Sequence, residues 1–397
     1  MSGNVNASMT FNQAATVLNS IVQQATGKTS LAATSTAAFV SQAQNLLSIG
    51  MDPIISAVSQ VLSKTIFSVR PYNAKFRGLQ RDAVQWGNHV RKINFGSDGV
   101  EDDNRIERDV SGTQTVWANG DSVDQQTIKK PIILQTNFYS YDTYQNHYTL
   151  FRDQLNTAFS GPEEFMRFVS GVTTEVSNKL EQYRENFARM TLVNLMGGTI
   201  NAGRVRHLVT EYKTLMGIAD ASTVLTTYLE GFVKWLFAEL KTLSDRFTER
   251  SLKYQSLITG KDIYRHTPKD KQRLYIYSQF MAKVDAQVLA SVFNPQYLTL
   301  GDREEVSFWQ SIDSPDSISV TPSQIDSSGD YVAGSAVSAS PVLGILMDYE
   351  AAGITQVNEW SSPSPFNARG GYTNIWYHMD MRGWNDMTEK AVVLLLD

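Results

Sequence analysis

From Ser160 to Gly198 the chain carries one unbroken helical pattern, and a helix of that length decides what the remaining residues must do. Ser160 and Glu163 have the spacing of a capping box, and Pro162 stands in the first turn, where its missing N–H is not needed. Gly197-Gly198 supplies a stop at the far end. Between them Phe165, Phe168, Val169, Val172, Val176, Leu180, Tyr183, Phe187, Met190 and Leu195 keep to one face. At 1.5 Å per residue the predicted helix, residues 162–196, is about 50 Å long. That exceeds the width of a small globule. It must act as a beam along which other elements lie.

Charge usage suggests what covers such a chain. Charged side chains make up 19% of the 397 residues, against about a quarter in ordinary soluble proteins. The 42% hydrophobic content is enough for a sizeable core. A sparsely charged surface over a full core implies an oligomer. The net charge of −5 argues against DNA as a directly bound partner. With no cysteine, disulfides, thiolate chemistry and cysteine-held metals are excluded. No apolar run approaches the roughly 18 residues of a membrane span. The opening Met-Ser-Gly-Asn-Val-Asn has neither the basic nor the apolar part of a signal peptide, so a cytosolic, membrane-free protein is expected.

Four regions flank or include the beam. Residues 1–69 contain only Lys28, Asp52 and Lys64 as charged side chains. Helical spacing there links Phe11, Ala14, Leu18, Ile21 and Val22, then Phe39, Ala43, Leu46 and Leu47. A third short helix is predicted with Asp52 as N-cap and Pro53 at its first position. Such narrow stripes cannot form a core alone. Residues 70–131 are polar, with strand pieces at 84–95 and 113–118 and turn chemistry at 96–99 and 119–121. Their charge is split. Arg70, Lys75, Arg77, Arg81, Arg91 and Lys92 crowd one limb, while Glu101, Asp102, Asp103, Glu107 and Asp109 lie in the other. Two oppositely charged limbs of low hydrophobicity predict an extended hairpin. A strand region over 131–151 leads into the beam. Beyond it come a helix at about 221–245, a strand at 274–277, a helix at 278–293 and strands at 298–300 and 306–312. Residues 313–341 read as a surface loop, and strands return at 342–347, 372–381 and 391–396. The fold class is α+β.

Catalytic constellations do not emerge. The five histidines, His89, His147, His207, His266 and His378, are scattered, with no H-E-x-x-H pair. Gly27-Lys28-Thr29 resembles the end of a phosphate loop, but Val22 stands where the first glycine is required. Glu101-Asp102-Asp103-Asn104 lacks the alternating ligands and central glycine of a calcium loop. No G-x-S-x-G elbow is present. No enzyme, cofactor or metal is expected.

The order of poorly charged arm, hairpin, strand, long helix, α/β region and returning strands resembles the major capsid proteins of tailed phages, whose coat fold is named after phage Hong Kong 97. Two stretches are similar to small podoviruses of the phi-twenty-nine kind. One is Leu229–Leu243 followed by Leu274-Tyr275-Ile276-Tyr277 and Val284–Asn294. The other is Pro365-Phe366-Asn367-Ala368-Arg369-Gly370-Gly371-Tyr372, then Trp376-Tyr377-His378 and Ala391–Leu396. The resemblance implies an N-arm at 1–69, an E-loop hairpin at 70–131, a P-domain from 132–199 and 342–397, and an A-domain at 200–341. It implies a virion protein assembled in the bacterial cytoplasm from many copies of itself, as pentamers and hexamers of an icosahedral shell. Scaffolding, portal and head-decoration proteins become candidate further partners. Double-stranded DNA would be enclosed without sequence reading. An encapsulin-like compartment shell around a protein cargo is the alternative. Interface residues follow. Arg77, Arg81, Arg91 and Lys92 would pair across subunits with Glu101, Asp102, Asp103 and Glu107. Phe11, Leu18, Phe39 and Leu46 would be buried in trans, along a neighbour's long helix.

Overall fold

The computed structural model describes residues 11–27, 33–47, 76–81, 90–96, 106–108, 114–116, 132–138, 142–259, 263–287 and 303–397. The helix expected at Asp52, the turns at 97–99 and 119–121, Glu101, Asp102, Asp103 and the strand at 298–300 lie outside them.

In chain order the elements are α1 (Phe11–Thr26), α2 (Thr36–Leu47), β1 (Gln80–Arg81), β2 (Val90–Gly96), β3 (Ile106–Arg108), β4 (Gln114–Val116), β5 (Ile132–Phe138) and β6 (Asp142–Phe151). Next come α3 (Arg152–Ala158), the long α4 (Pro162–Asn201), β7 (Val205–His207), α5 (Leu208–Met216), α6 (Leu229–Thr248), β8 (Gln272–Tyr277), α7 (Ser278–Gln287) and β9 (Arg303–Val306). Short strands β10 (Ile318–Val320), β11 (Ser323–Ile325), β12 (Tyr331–Ala333) and β13 (Val337–Ala339) precede β14 (Val342–Asp348), β15 (Ala352–Pro363), β16 (Tyr372–Asn385) and β17 (Ala391–Leu395). The chain divides into two units, one of residues 1–88, 139–193 and 352–385, the other of 89–138, 194–351 and 386–397.

The first unit holds a four-stranded sheet in the order β1-β15-β16-β6. Along β16 side chains alternate, with Ile375, Tyr377, Met379 and Met381 buried. The α4 helix covers that buried face. Tyr144 of β6 stacks on Tyr183 at 5.1 Å and meets Phe187 edge-on at 6.2 Å. Gly383 has no side chain because a Cβ there would stand 2.7 Å from Thr191 Oγ1 and 3.1 Å from Phe187. Polar bonds fix the helix to β15. Arg184 donates to Glu181 of its own helix and to Gln356, each at 2.5 Å.

The short helices α1 and α2 also belong to this unit. Leu18, Phe39 and Leu46 are buried, and Phe39 lies between Phe11 at 6.4 Å and Phe165 of α4 at 5.7 Å. The sequence predicts their burial against a neighbour's long helix; the structure packs them on their own chain. Helical spacing specifies that a stripe is covered, not which copy covers it.

In the second unit a five-stranded sheet runs β7-β17-β14-β8-β9. Every residue of β14 and β17 is buried, the mark of strands covered on both faces. These two strands therefore group with 194–351, although the sequence assigns 342–397 to one domain with the long helix. Lys390 is wholly buried here. Its ammonium donates to Glu249 O at 2.6 Å and Phe247 O at 3.1 Å, closing the C-terminal end of α6.

Several predicted boundaries move. The long helix passes through Gly197-Gly198 and ends at Asn201. Those glycines admit neighbours: a Cβ on Gly197 would meet Val320 Cγ1 at 2.6 Å, and one on Gly198 would meet Met387 Cε at 2.4 Å. The helix expected from 221 begins at Leu229, because Asp220 accepts the Ser222 N–H at 2.9 Å and sets a 3₁₀ turn first. The strand expected at 306–312 lies earlier, at Arg303–Val306. After it the buried Trp309 donates its indole N–H to Val342 O at 2.9 Å and pins a loop. Residues 313–341 form two paired ladders, β10 with β13 and β11 with β12, rather than a plain loop.

Candidate assembly site

Strands β2 and β5 pair antiparallel over seven residues, from Val90 opposite Phe138 to Gly96 opposite Ile132. The two-residue period of a strand gives this ribbon two unlike faces. Lys92 and Asn94 share one with Leu134 and Thr136, while Arg91, Ile93 and Phe95 share the other with Ile133, Gln135 and Asn137.

The inward face is anchored by charge. Lys92 Nζ lies 2.5 Å from Glu389 Oε1 and 3.0 Å from both Asp386 Oδ2 and Glu350 Oε2. Arg265 joins through Nη1, 2.6 Å from Glu389 Oε1 and 2.8 Å from Asn94 Oδ1. The tight turn at 386–389 presents the carboxylates: Asp386 Oδ1 accepts the Thr388 N–H at 2.9 Å. Burial by itself lowers the Lys92 pKa, but Asp386, Glu389 and Glu350 outweigh it and hold it above the ordinary lysine value. Burial raises Asp386, but Lys92, the Thr388 hydroxyl and Arg265 together more than reverse that. Glu389 stays above the usual carboxylate range because burial, joined by Asp386 and Asp348, exceeds the pull of Lys92 and Arg265. Beside the cluster opens a cavity of about 310 Å³, lined in part by Asn94, Phe95, Arg265, Glu350 and Glu389. Leu134 completes the anchor against Ile258 and Ile263.

The outward face is apolar and open. Phe95 is 71% exposed, Ile133 49% and Ile93 43%. Three large apolar side chains thus lie together on one face of the ribbon.

A second open face occurs on the first unit's sheet, on the side away from the buried β16 residues. Gln145, His378 and Trp360 form one cross-strand row, and His147, Trp376 and Ser362 the next. Trp360 stacks on His378 at 3.9 Å with planes 12° apart, and His147 lies 4.6 Å from Trp376. Thr143 donates to Asp380 at 2.8 Å in the adjoining row.

The predicted interface residues fare differently. Arg91 is exposed on the outward ribbon face. Lys92, expected to reach a neighbour's acidic limb, is engaged by carboxylates of its own chain. Arg81 donates to Gly78 O at 2.9 Å and to Ala352 O at 3.4 Å, where β1 joins β15. The backbone of Arg77 lies in a 3₁₀ turn, and that of Glu107 in β3 opposite Thr115 of β4. The sequence does not mark Asp386, Glu389, Glu350 and Arg265 as the residues that hold the ribbon. The only local signal is the Asp386-Met-Thr-Glu389 turn, and no pattern links it to Lys92 some 300 residues earlier. Among the described residues no cluster of histidine and carboxylate ligands could hold a metal ion, and no helix is long and apolar enough to cross a membrane.

A beam helix under an antiparallel sheet, a buried five-stranded sheet and a ribbon of two unlike faces make this an α+β coat subunit of the Hong Kong 97 type. The same fold occurs in the capsid structure of Staphylococcus phage Andhra, at TM-score 0.51 and 11% identity over 83% of this chain and 86% of that one. It occurs also in a chain of the structure of the head fibre and inner core protein of native bacteriophage P68, at TM-score 0.50 and 11% identity over 83% and 87%. The particular family is given by sequence: the chain belongs to the Phi29-like phage major capsid proteins, whose family model matches residues 18–395. No curated protein matches the sequence. The protein is thus a structural subunit of a tailed-phage head, assembles with copies of itself and is a component of the virion, not an enzyme.

Proposed function

We propose that this subunit builds an icosahedral shell of pentamers and hexamers around double-stranded DNA, and that the β2–β5 ribbon is the part each copy lays on its neighbour. The observation that carries this reading is the ribbon's division of labour. One face is locked into the chain by Lys92, Asn94 and Leu134, and the other offers Ile93, Phe95 and Ile133 to solvent. A strand pair fastened so firmly from one side has its apolar side set for another molecule. In a protein that assembles with itself, that molecule is a second copy. Residues 70–131 then act as the E-loop, the long helix and its sheet as the P-domain, and the region after the helix as the A-domain. Arg77, Arg91, Glu101, Asp102, Asp103 and Glu107 remain proposed inter-subunit contacts. The net charge of −5 suits a container whose wall does not grip its DNA.

Phe95→Ser tests this directly. The variant should fold, since Phe95 is mostly exposed, yet fail to give shells by sedimentation and negative-stain microscopy. Wild-type yields of shells would remove the ribbon from the interface. Deleting residues 96–124 should have the same outcome with the rest of the subunit folded by circular dichroism.

A further inference from the structure

We propose that β6 pairs antiparallel with the same strand of a second copy, so that the four-stranded sheets of two subunits join edge to edge across a two-fold axis. This contact is separate from the ribbon and rests on the icosahedral reading above only for the axis.

Strand β6 ends the sheet order β1-β15-β16-β6. Its ladder with β16 runs from Asp142 opposite Met381 to Phe151 opposite Tyr372, without a register shift. In an antiparallel ladder alternate residues bond the partner strand, and those between them point their N–H and C=O groups the other way. Arg152 N donates to Gly371 O at 2.9 Å, which sets the alternation: even-numbered residues of β6 face β16 and odd-numbered ones face away. Phe151 agrees, since its N–H bonds Gln154 Oε1 at 3.3 Å rather than β16. Thr143, Gln145, His147 and Thr149 therefore present their backbone groups at the sheet edge. Among the described residues no strand pairs with them. Proteins commonly blunt such an edge with short length, lysine, proline or a bulge. At the opposite end of this sheet β1 has only two residues. β6 has ten, with no lysine, arginine or proline and with Asp142 as its one carboxylate.

The strand is complementary to itself. A dyad at Asn146 sets Gln145 opposite His147, Tyr144 opposite Tyr148, Thr143 opposite Thr149 and Asp142 opposite Leu150 of the second copy. This register alone uses all four open residues. A centre at Gln145 would set Thr149 opposite position 141, beyond the strand. One at His147 would set Thr143 opposite Phe151, whose N–H is already taken. Tyrosine pairs, threonine pairs and a hydrogen-bonding Gln–His pair are favourable cross-strand neighbours. Charge agrees too. Asp142 comes diagonal to Arg152 of the second copy, two residues beyond Leu150; both are exposed, and neither has an ion-pair partner among the described residues. Identical antiparallel strands in one sheet are related by a two-fold axis normal to that sheet, an isologous contact. An icosahedral shell has such axes normal to its wall. The chain assembles with copies of itself, so the second strand is at hand.

The chain has no cysteine, so one substitution reports the dyad. Asn146 would face its own copy in a pair without hydrogen bonds, where Cα atoms stand about 4.5 Å apart, within disulfide reach. Oxidised shells of full-length Asn146→Cys, denatured without reductant, should run as covalent dimers and nothing larger. Thr143→Cys is the control, because the two copies of that position would be about 20 Å apart. Asn146→Cys shells that stay monomeric, or Thr143→Cys shells that dimerise equally, overturn the pairing. Gln145→Pro tests it without a cross-link. It deletes an N–H that points away from β16, which an edge strand tolerates. The dissociated subunit should keep its circular dichroism, while half-maximal shell formation should need about tenfold more subunit. Assembly at the wild-type concentration overturns the pairing; if this variant misfolds, the cross-link decides. The ribbon stands or falls apart from this: normal assembly of Phe95→Ser removes the ribbon contact alone, and monomeric Asn146→Cys shells remove the β6 contact alone.

Discussion

Replacing Lys92 by methionine removes one positive charge and leaves three carboxylates around the space it filled. The magnitude can be worked from the contacts. Asp386 has a fully buried side chain and Glu389 one that is 6% exposed, and both lie within 3.0 Å of the ammonium. A unit charge pair at 4 Å is worth about 4 kcal/mol at an effective dielectric of 20. Desolvation offsets much of that in the intact cluster, so the pair adds little over an apolar pair of the same shape. Removing one partner is different, because the remaining charges keep their burial and lose their compensation; about 3–5 kcal/mol is typical. Arg265 still bonds Glu389 at 2.6 Å, so the lower end, about 3 kcal/mol, applies here. Most of it falls on Asp386. Urea unfolding of the dissociated subunit should show the loss, with faster amide exchange along β2 and β5.

The pH dependence has a definite sign. Lys92, with the Thr388 hydroxyl and Arg265, holds Asp386 below its ordinary pKa, so that group's contribution is present above about pH 4 and fades as pH falls through the depressed value. The gap between wild type and Lys92→Met should therefore be widest near neutrality and close in acid, where the carboxylates take protons. Lys92 itself sits above its ordinary value, so its contribution persists below about pH 10.5 and is lost only in stronger alkali. Lys92→Met/Asp386→Asn/Glu389→Gln should recover most of the loss at neutral pH. A penalty under about 1 kcal/mol for the single variant, or one that does not shrink in acid, would refute the account.

Other substitutions probe other joints. Lys390→Met should destabilise the subunit by about 2 kcal/mol, since Phe247 O and Glu249 O lose their buried donor, and thermal unfolding reads it. Phe39→Ala should cost about 3–5 kcal/mol and make α1 and α2 sensitive to limited proteolysis, because the ring fills the space between Phe11 and Phe165. Gly198→Ala should cost about 1–3 kcal/mol in urea, as the added methyl meets Met387 and the Ser323 carbonyl 2.9 Å away. Trp309→Phe should cost about 1 kcal/mol by leaving Val342 O without its indole donor, while keeping the packing.

Helix and strand periodicity made the beam, the two short N-terminal helices and the strands at 274–277, 342–347 and 391–396 legible, because each repeats a burial pattern over many residues. Where it failed, the deciding contact was remote. Strand β15 escapes the sequence pattern because a bulge between Gln356 and Asn358 breaks its alternation and Glu359, Ser361 and Ser362 make it look like loop. Gly197-Gly198 looks like a stop until Val320 and Met387 are seen against it. The same holds for the site. Charge segregation marked the ribbon as important and included Lys92, yet the carboxylates that hold it come from the other end of the chain. Nor does a sequence reveal that Trp360 and His378 are opposite one another, since that depends on the register of β15 against β16.

The ribbon's alternation also guards assembly against error. A slip of β2 by one residue would turn Lys92 and Asn94 to solvent and drive Arg91, Ile93 and Phe95 toward Asp386 and Glu389. One mistake would cost the chain both its internal fastening and its outward apolar patch. Under the ribbon contact proposed above, a mispaired subunit lacks the patch that would seat it in a shell, and a growing lattice would reject it without any separate inspector.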